Sequence, residues 1–292
     1  MTIAPQSEIR EKAPLADLLS HYSIEVTSRD LSSLQSMTAT LRPGSEVFIA
    51  HLPKEDIGLL VRAAAGLRDA GFVPVPHIVA RNIRNRLELD TMLARLSEEA
   101  GVRHALVLGG DRDDAAGAFG SALDLIETGL FQTYGVGRIA IACYPEGHPR
   151  IAGAVLDTAL TAKVDAAARA GLDVLLVSQF LFDPQPLLSF ARRLRERGVA
   201  APLRVGIAGP ASRTKLLKYA LRCGVGASLR ALRERSEIAR NVLSGETPEE
   251  LLIDIAAAQA AELDLGIGGA HFFTFGDPAQ SIRWAEQQAA SD

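Results

Sequence analysis

Short runs of apolar and β-branched residues alternate along the chain with longer segments of helical periodicity. The runs are 22–27 (YSIEVT), 46–51 (EVFIAH), 72–78 (FVPVPHI), 104–108 (HALVL), 138–144 (RIAIACY), 173–179 (DVLLVSQ), 203–208 (LRVGIA) and 270–275 (AHFFTF). Several are almost wholly apolar, the pattern of parallel strands covered on both faces. Between them, Ile57, Leu60, Val61, Ala64 and Leu67 mark one helix face that Gly71 can close, and Leu216, Leu217, Ala220 and Leu221 mark another before Gly224. Thr247 followed by Glu250 reads as a capping box. This alternation predicts an α/β protein: a single (β/α)8 TIM barrel over residues 16–292, with extra helices in 211–265 between strands seven and eight. Residues 1–15 read as an N-terminal arm or short helix outside the barrel. A doubly wound open sheet shares the alternation and differs in closure.

Composition narrows the function. The 292 residues fit one barrel domain, and 48% hydrophobic residues supply an ample core. A formal charge of −4 leaves no basic footprint, so no nucleic acid partner is expected. Cys143 and Cys223 make neither a disulfide framework nor a zinc site, which points to a reducing cytoplasm. The N-terminal residues lack the apolar core of a signal peptide, and no uncharged apolar run reaches the roughly 18 residues of a membrane span. A soluble cytoplasmic protein with no membrane partner is expected.

Polar residues collect at the predicted strand ends, where a barrel builds its site. Glu25 and Thr27 come late in strand one, His51 ends strand two and His77 ends strand three. Asp111 follows strand four through LGGD, and Tyr144, Glu146 and His148 follow strand five in YPEGHP. Gln179 ends strand six, Gly206 and Gly209 occupy strand seven, and Thr274 lies in strand eight. A single histidine at a strand end is more often structural than functional, but a polar residue at nearly every terminus describes one shared mouth. The glycines of LGGD and GIAGP allow either tight turns or a close ligand, and spacing does not choose between them. GIGG at 266–269 precedes the last strand instead of following one, so it is no Rossmann phosphate turn. No Walker A sequence, metal-ligand spacing or G-x-S-x-G elbow is present, and no metal is expected.

The blocks YPEGHP, SQFLFD and HFFTF resemble the Y-P-E-x-H-P, T-Q-x-F-F-D and H-F-Y-T blocks of the methylenetetrahydrofolate reductase family. VPHIVA resembles the family's P-H-L-T block, LVLGGD its A-L-R-G-D, and SIEVTSRD stands where the family has S-F-E-F-F-P-P. The blocks keep family order from residue 23 to residue 275. The resemblance implies an FAD-binding barrel that moves hydride between NADH or NADPH and folate. It would interconvert 5,10-methylenetetrahydrofolate and 5-methyltetrahydrofolate by a ping-pong route, commonly as a homo-oligomer.

By the same resemblance, Glu25 is the acid that protonates the departing amine as the methylene bridge opens to an iminium ion. A carboxylic acid kept protonated by an enclosed site can supply that proton near neutral pH. Asp111 would tune the flavin and approach the pterin, and Gln179 would bind the folate through its amide. His51, His77, Leu108, Gly109, Gly110, Asp111, Tyr144, His148, Asp157 and Lys163 fall at cofactor-contacting positions. The chain departs from the family at several points. The family Arg of L-R-G-D is Gly109, F-F-P-P has become VTSR, and the Tyr of H-F-Y-T is Phe273. Lys163 stands one helical turn before the family's lysine position, which Ala167 occupies. These departures motivate two other readings: a flavin-free or oxidation-direction member of the family, and a non-catalytic folate-binding paralogue. Retention of Glu25, Asp111 and Gln179 argues against the paralogue, because binding alone needs no proton donor.

Overall fold

Eight parallel strands close on one another in chain order, each neighbouring the next and the last neighbouring the first. They are β1 (Ser23–Thr27), β2 (Glu46–Ala50), β3 (Val73–Val79), β4 (His104–Leu108), β5 (Arg138–Cys143), β6 (Asp173–Leu181), β7 (Leu203–Ala208) and β8 (Ile267–Phe273). The closed order settles the choice between barrel and open sheet. This computed structural model describes residues 14–29, 37–52, 55–209, 216, 248–275 and 277–289.

The principal described helices are α1 (Ile57–Asp69), α2 (Arg86–Ala100), α3 (Ala122–Ile126), α4 (Leu130–Thr133), α5 (Gly153–Arg169), α6 (Pro184–Glu196), α7 (Glu249–Ala261) and α8 (Pro278–Ala289). Their ends follow local chemistry. The Asn85 side chain accepts the Glu88 amide to open α2, and Gly101 closes that helix at φ 63°. Asp183 accepts the Gln185 amide to open α6, with Pro184 in its first turn. Ser121 and Asp124 form a reciprocal capping box at α3.

Some expectations need correction. The eighth strand begins at Ile267, so GIGG supplies the strand's first half instead of preceding it. Glycines carry no apolar signal, and here they serve close packing: a Cβ on Gly269 would stand 3.1 Å from the His21 carbonyl oxygen. Residues 14–20 are helical and bury Leu15, Leu18 and Leu19; residues 1–13 lie outside the described residues. α7 has Pro248 at its N-cap with no side-chain hydrogen bond. Thr247, the helix ending at Gly224, and all of 211–247 except Leu216 lie outside the described residues.

The chain divides into two compact units. One comprises Glu25–Cys143 and Ala154–Leu176, and the other Met1–Ile24, Tyr144–Gly153 and Val177–Asp292. In the first, β2 to β5 pair in continuous parallel register, with Ile49 opposite Pro76, His77 opposite Leu106 and His104 opposite Arg138. Val47, Phe48 and Ile49 are fully buried, as are Ile78, Val107 and Ile141. In the second, β7 pairs with β8 around an irregularity at Leu203/Arg204. Phe272 packs edge-on against Tyr22 at 5.7 Å and Trp284 at 5.9 Å.

Gly206 shows why a glycine is needed inside a strand. A Cβ there would lie 2.2 Å from the Ser178 carbonyl oxygen and 2.8 Å from the Phe180 nitrogen, and the Ser178 hydroxyl accepts the Gly206 amide at 2.8 Å. Gly209 is blocked similarly, with Ser281 Oγ 2.3 Å from its missing Cβ. At both GIAGP glycines, protein atoms occupy the space a Cβ would take. Gly206→Ala is therefore expected to cost about 1–3 kcal/mol, the typical penalty of forced overpacking. Urea unfolding of the purified variant checks this, with wild-type stability as the contrary result.

Candidate functional site

Period-two alternation turns Ser23, Glu25 and Thr27 to one side of β1 and Ile24 and Val26 to the other. Which side is inward follows from a contact that skips a strand. Glu25 Oε2 lies 3.3 Å from His77 Nε2 on β3, across the intervening β2. In a closed parallel sheet, side chains of alternate strands converge only toward the axis. Both groups are therefore interior, with side chains 21% and 10% exposed. The contact is close enough for an ion pair, but His77 Nε2 makes no hydrogen bond. The Phe48 ring stands edge-on to His77 at 6.5 Å and walls the pair on one side. Of the predicted site residues in this unit, Glu25 and His77 are brought together directly.

The other predicted residues of this unit are placed variously. His51 immediately follows β2, and its Nε2 donates to the Glu55 carbonyl oxygen at 3.2 Å. Asp111 is exposed on the loop after β4. That loop is pinned to the turn at Ala80–Asn82. Arg81 N donates to Gly109 O at 2.9 Å, and its guanidinium donates to Gly120 O at 2.9 Å and Arg112 O at 2.7 Å. Gly110 has φ 100°, and a Cβ there would lie 2.5 Å from Val79 Cγ1, so this glycine is demanded by the turn. Gly109, beside it and next to Leu108 at the end of β4, has nothing within 4 Å of a built Cβ. Its backbone is open to a ligand and equally to a longer side chain. Arg112 donates to its own loop at Asp114 O, 3.2 Å away.

Asp157 and Lys163 lie on α5. Lys163 shares the inward face with Leu160 and Ala167, so the shift by one turn from the family's lysine position keeps it on the same face. It faces Cys143 at the end of β5. Burial pushes the Cys143 thiol up to about 12, with the neighbouring Lys163 charge opposing, and burial lowers the Lys163 ammonium.

Glu55 is absent from the sequence reading, yet its carboxylate is firmly held. Its side chain is 2% exposed. It accepts the Ser28 hydroxyl at 2.6 Å, Arg29 Nε at 2.7 Å and the Leu52 amide at 3.0 Å. Burial alone would raise its pKa, but the hydrogen bonds from Ser28, Leu52 and Arg29 together hold it below the usual value. No periodicity or motif signals such a residue; the polar SR of VTSR was its visible counterpart.

The second unit carries a separate set. Tyr144 and His148 meet edge-on at 5.2 Å, and His148 Nδ1 accepts the Arg150 amide at 3.2 Å. β6 runs on to Leu181, two residues past its expected end at Gln179. The Gln179 side-chain carbonyl accepts the Phe180 amide at 3.0 Å, which orients its NH2 group. Phe180 is the hub of an aromatic cluster, edge-on to Phe182, Phe273 and Phe275 at 5.8, 5.6 and 5.5 Å. His271 binds Ser23 Oγ through Nδ1 at 2.9 Å and stands 4.9 Å from the Phe273 ring. Phe273, where the family has tyrosine, thus packs between the Phe180 and His271 rings.

A family model described as methylenetetrahydrofolate reductase matches residues 62–278. The match takes in His77, Asp111, Tyr144, His148, Asp157, Lys163 and Gln179; Glu25 and His51 precede it. Among solved structures, the chain is similar to dihydropteroate synthase from Thermus thermophilus, at 16% identity and a TM-score of 0.48. That alignment covers 91% of this chain and 92% of that one.

Cys143 is expected to resist alkylation in the folded protein. With its pKa at about 12, roughly one thiol in 10⁴ is ionised at pH 8, and the group is buried besides. Peptide mapping after iodoacetamide treatment, with and without denaturant, checks this; rapid native labelling of Cys143 would be the contrary result.

Proposed function

The chain belongs to the methylenetetrahydrofolate reductase family, and on that premise we propose an enzyme that interconverts 5,10-methylenetetrahydrofolate and 5-methyltetrahydrofolate with hydride from NADH or NADPH. The observation that carries this reading is the Glu25–His77 pair inside the barrel. Reduction of the methylene carbon requires the bridging C–N bond to break, and the departing amine nitrogen must take a proton. Glu25 supplies that proton as its carboxylic acid and is left as carboxylate. His77, 3.3 Å away, is the adjacent base that carries a replacement proton. Gln179, oriented by Phe180, offers an amide to the donor–acceptor edge of a pterin. Asp111 supplies an acceptor from its exposed loop.

FAD is the cofactor that family membership implies, and Gly109 presents open backbone that a ligand could approach. By the family resemblance, His51, His77, Leu108, Gly110, Asp157 and Lys163 of one unit would contact it, and the resemblance names Tyr144 and His148 of the other unit as well. When bound, the flavin supplies two-electron hydride relay between nicotinamide and folate, which makes alternating ping-pong occupancy possible. A homo-oligomer in the cytoplasm completes the proposal.

Gly109 also favours a second reading, in which hydride passes directly from nicotinamide to folate. The family arginine is missing there, and the guanidinium groups of Arg81 and Arg112 are engaged with loop carbonyls.

An absorption spectrum of the purified protein separates the two: flavin bands that bleach with NADH and return with methylenetetrahydrofolate support the FAD reading. Colourless protein that oxidises NADH only when the folate is present supports direct transfer, and no turnover in either direction overturns the enzyme. Glu25→Gln is expected to slow the folate reaction roughly 10²–10⁴-fold; unchanged turnover removes Glu25 as the acid. If FAD binds, Gly109→Arg should raise flavin retention with little loss of stability, because nothing stands within 4 Å of its Cβ. Fluorescence titration with FAD measures that retention.

A further inference from the structure

The segment after β1 departs from the family pattern: VTSR stands in place of an aromatic–proline turn. A proline pair would stiffen that segment by restricting φ. Ser28 and Arg29 have no such stiffness, yet Ser28 is fully buried and both are anchored to a single acceptor. That acceptor, Glu55, lies beyond the end of β2. Its carboxylate binds Ser28 and Arg29 from the β1 side and the Leu52 amide from the β2 side, while its carbonyl accepts His51 Nε2. The Ser28 amide donating to Ala50 O at 3.3 Å completes the join. A buried carboxylate is costly unless its oxygens are satisfied, and here three donors satisfy it. Arg29 is 69% exposed, so its charge alone contributes little; the buried bonds to Ser28 and Leu52 hold the arrangement.

We propose that Glu55 is a positioning residue that substitutes for the missing turn. It ties the segment three residues beyond Glu25 to the segment carrying His51, and so holds both side chains in place for the folate step. The role rests on the folate reading above. Glu55 acts through the Ser28 and Arg29 side chains on the β1 side and through the Leu52 amide and the His51 ring on the β2 side.

The test pairs a structural readout with a kinetic one, on Glu55→Ala, Glu55→Gln and Ser28→Ala. In Glu55→Ala, hydrogen exchange at the Leu52 and Ser28 amides should accelerate at least about tenfold, while amides of β3 and β4 exchange as in wild type. The kcat with methylenetetrahydrofolate should fall roughly 10- to 100-fold, the scale expected of a misplaced catalytic group, with KM for NADH unchanged. Glu55→Gln, which keeps an acceptor oxygen, should fall between wild type and Glu55→Ala, and Ser28→Ala should move the same way by less. Where Glu55→Ala does not fold, the other two variants carry the comparison on the same criteria. Unchanged exchange at Leu52, or faster exchange with unchanged kcat, overturns the positioning role alone. Wild-type protein without folate turnover overturns the functional reading, and the positioning role with it.

Discussion

Closure of the sheet is the constraint on which the site depends. Glu25 and His77 stand on strands separated by β2, and only an inward face brings alternate strands near enough for a 3.3 Å contact. The same alternation that sends Ile24 and Val26 outward to apolar surroundings sends Glu25 inward. One registration of β1 therefore serves both purposes. A slip of one residue would bury the carboxylate among helices and turn Ile24 to the axis. The core fixes the register, and the register places Glu25 beside His77.

Much of this was legible in the sequence because it rests on local periodicity. Seven strands lie within two residues of their expected bounds, since apolar runs and β-branched residues mark them directly. The eighth strand was misplaced at its start because Gly268 and Gly269 carry no side chain to report burial. The role of Gly269 emerges only against the His21 carbonyl, a contact that sequence spacing cannot express. Gly109 and Gly110 show the same limit at closer range. They look equivalent in LGGD, but one is forced by Val79 and a left-handed φ while the other is open.

Side-chain partnerships were less legible. The strand-end rule put Glu25, His77 and His51 near one another without saying which would meet. In the fold, His51 turns to Glu55, and Lys163 faces Cys143 from the inward side of α5. Glu55 escaped notice because it belongs to no periodic face and no motif; its three donors come from positions 28, 29 and 52. The substitution of VTSR for an aromatic–proline turn was visible as a loss. The compensating carboxylate was visible only once the two segments were folded together.

A second Glu–His pair in the same unit shows why the first is the better candidate for chemistry. Glu46 opens β2 and His104 opens β4, so this pair also spans one intervening strand, but at the amino end of the barrel. His104 Nδ1 and Glu46 Oε1 are hydrogen-bonded at 2.7 Å, and Arg138 Nη1 adds its charge at 3.8 Å. That carboxylate has the partners a structural group needs, and the amino end of a barrel is where stability is built. His77 and Glu25 lie further along their strands, wider apart, and His77 Nε2 is left without a hydrogen bond in a buried setting. Native proteins seldom leave buried polar nitrogens unsatisfied, and the exceptions concentrate where a ligand or a proton is to arrive. The two pairs share composition and topology and differ in spacing and in the hydrogen bonding of their histidines, and that difference makes the Glu25–His77 pair the better candidate.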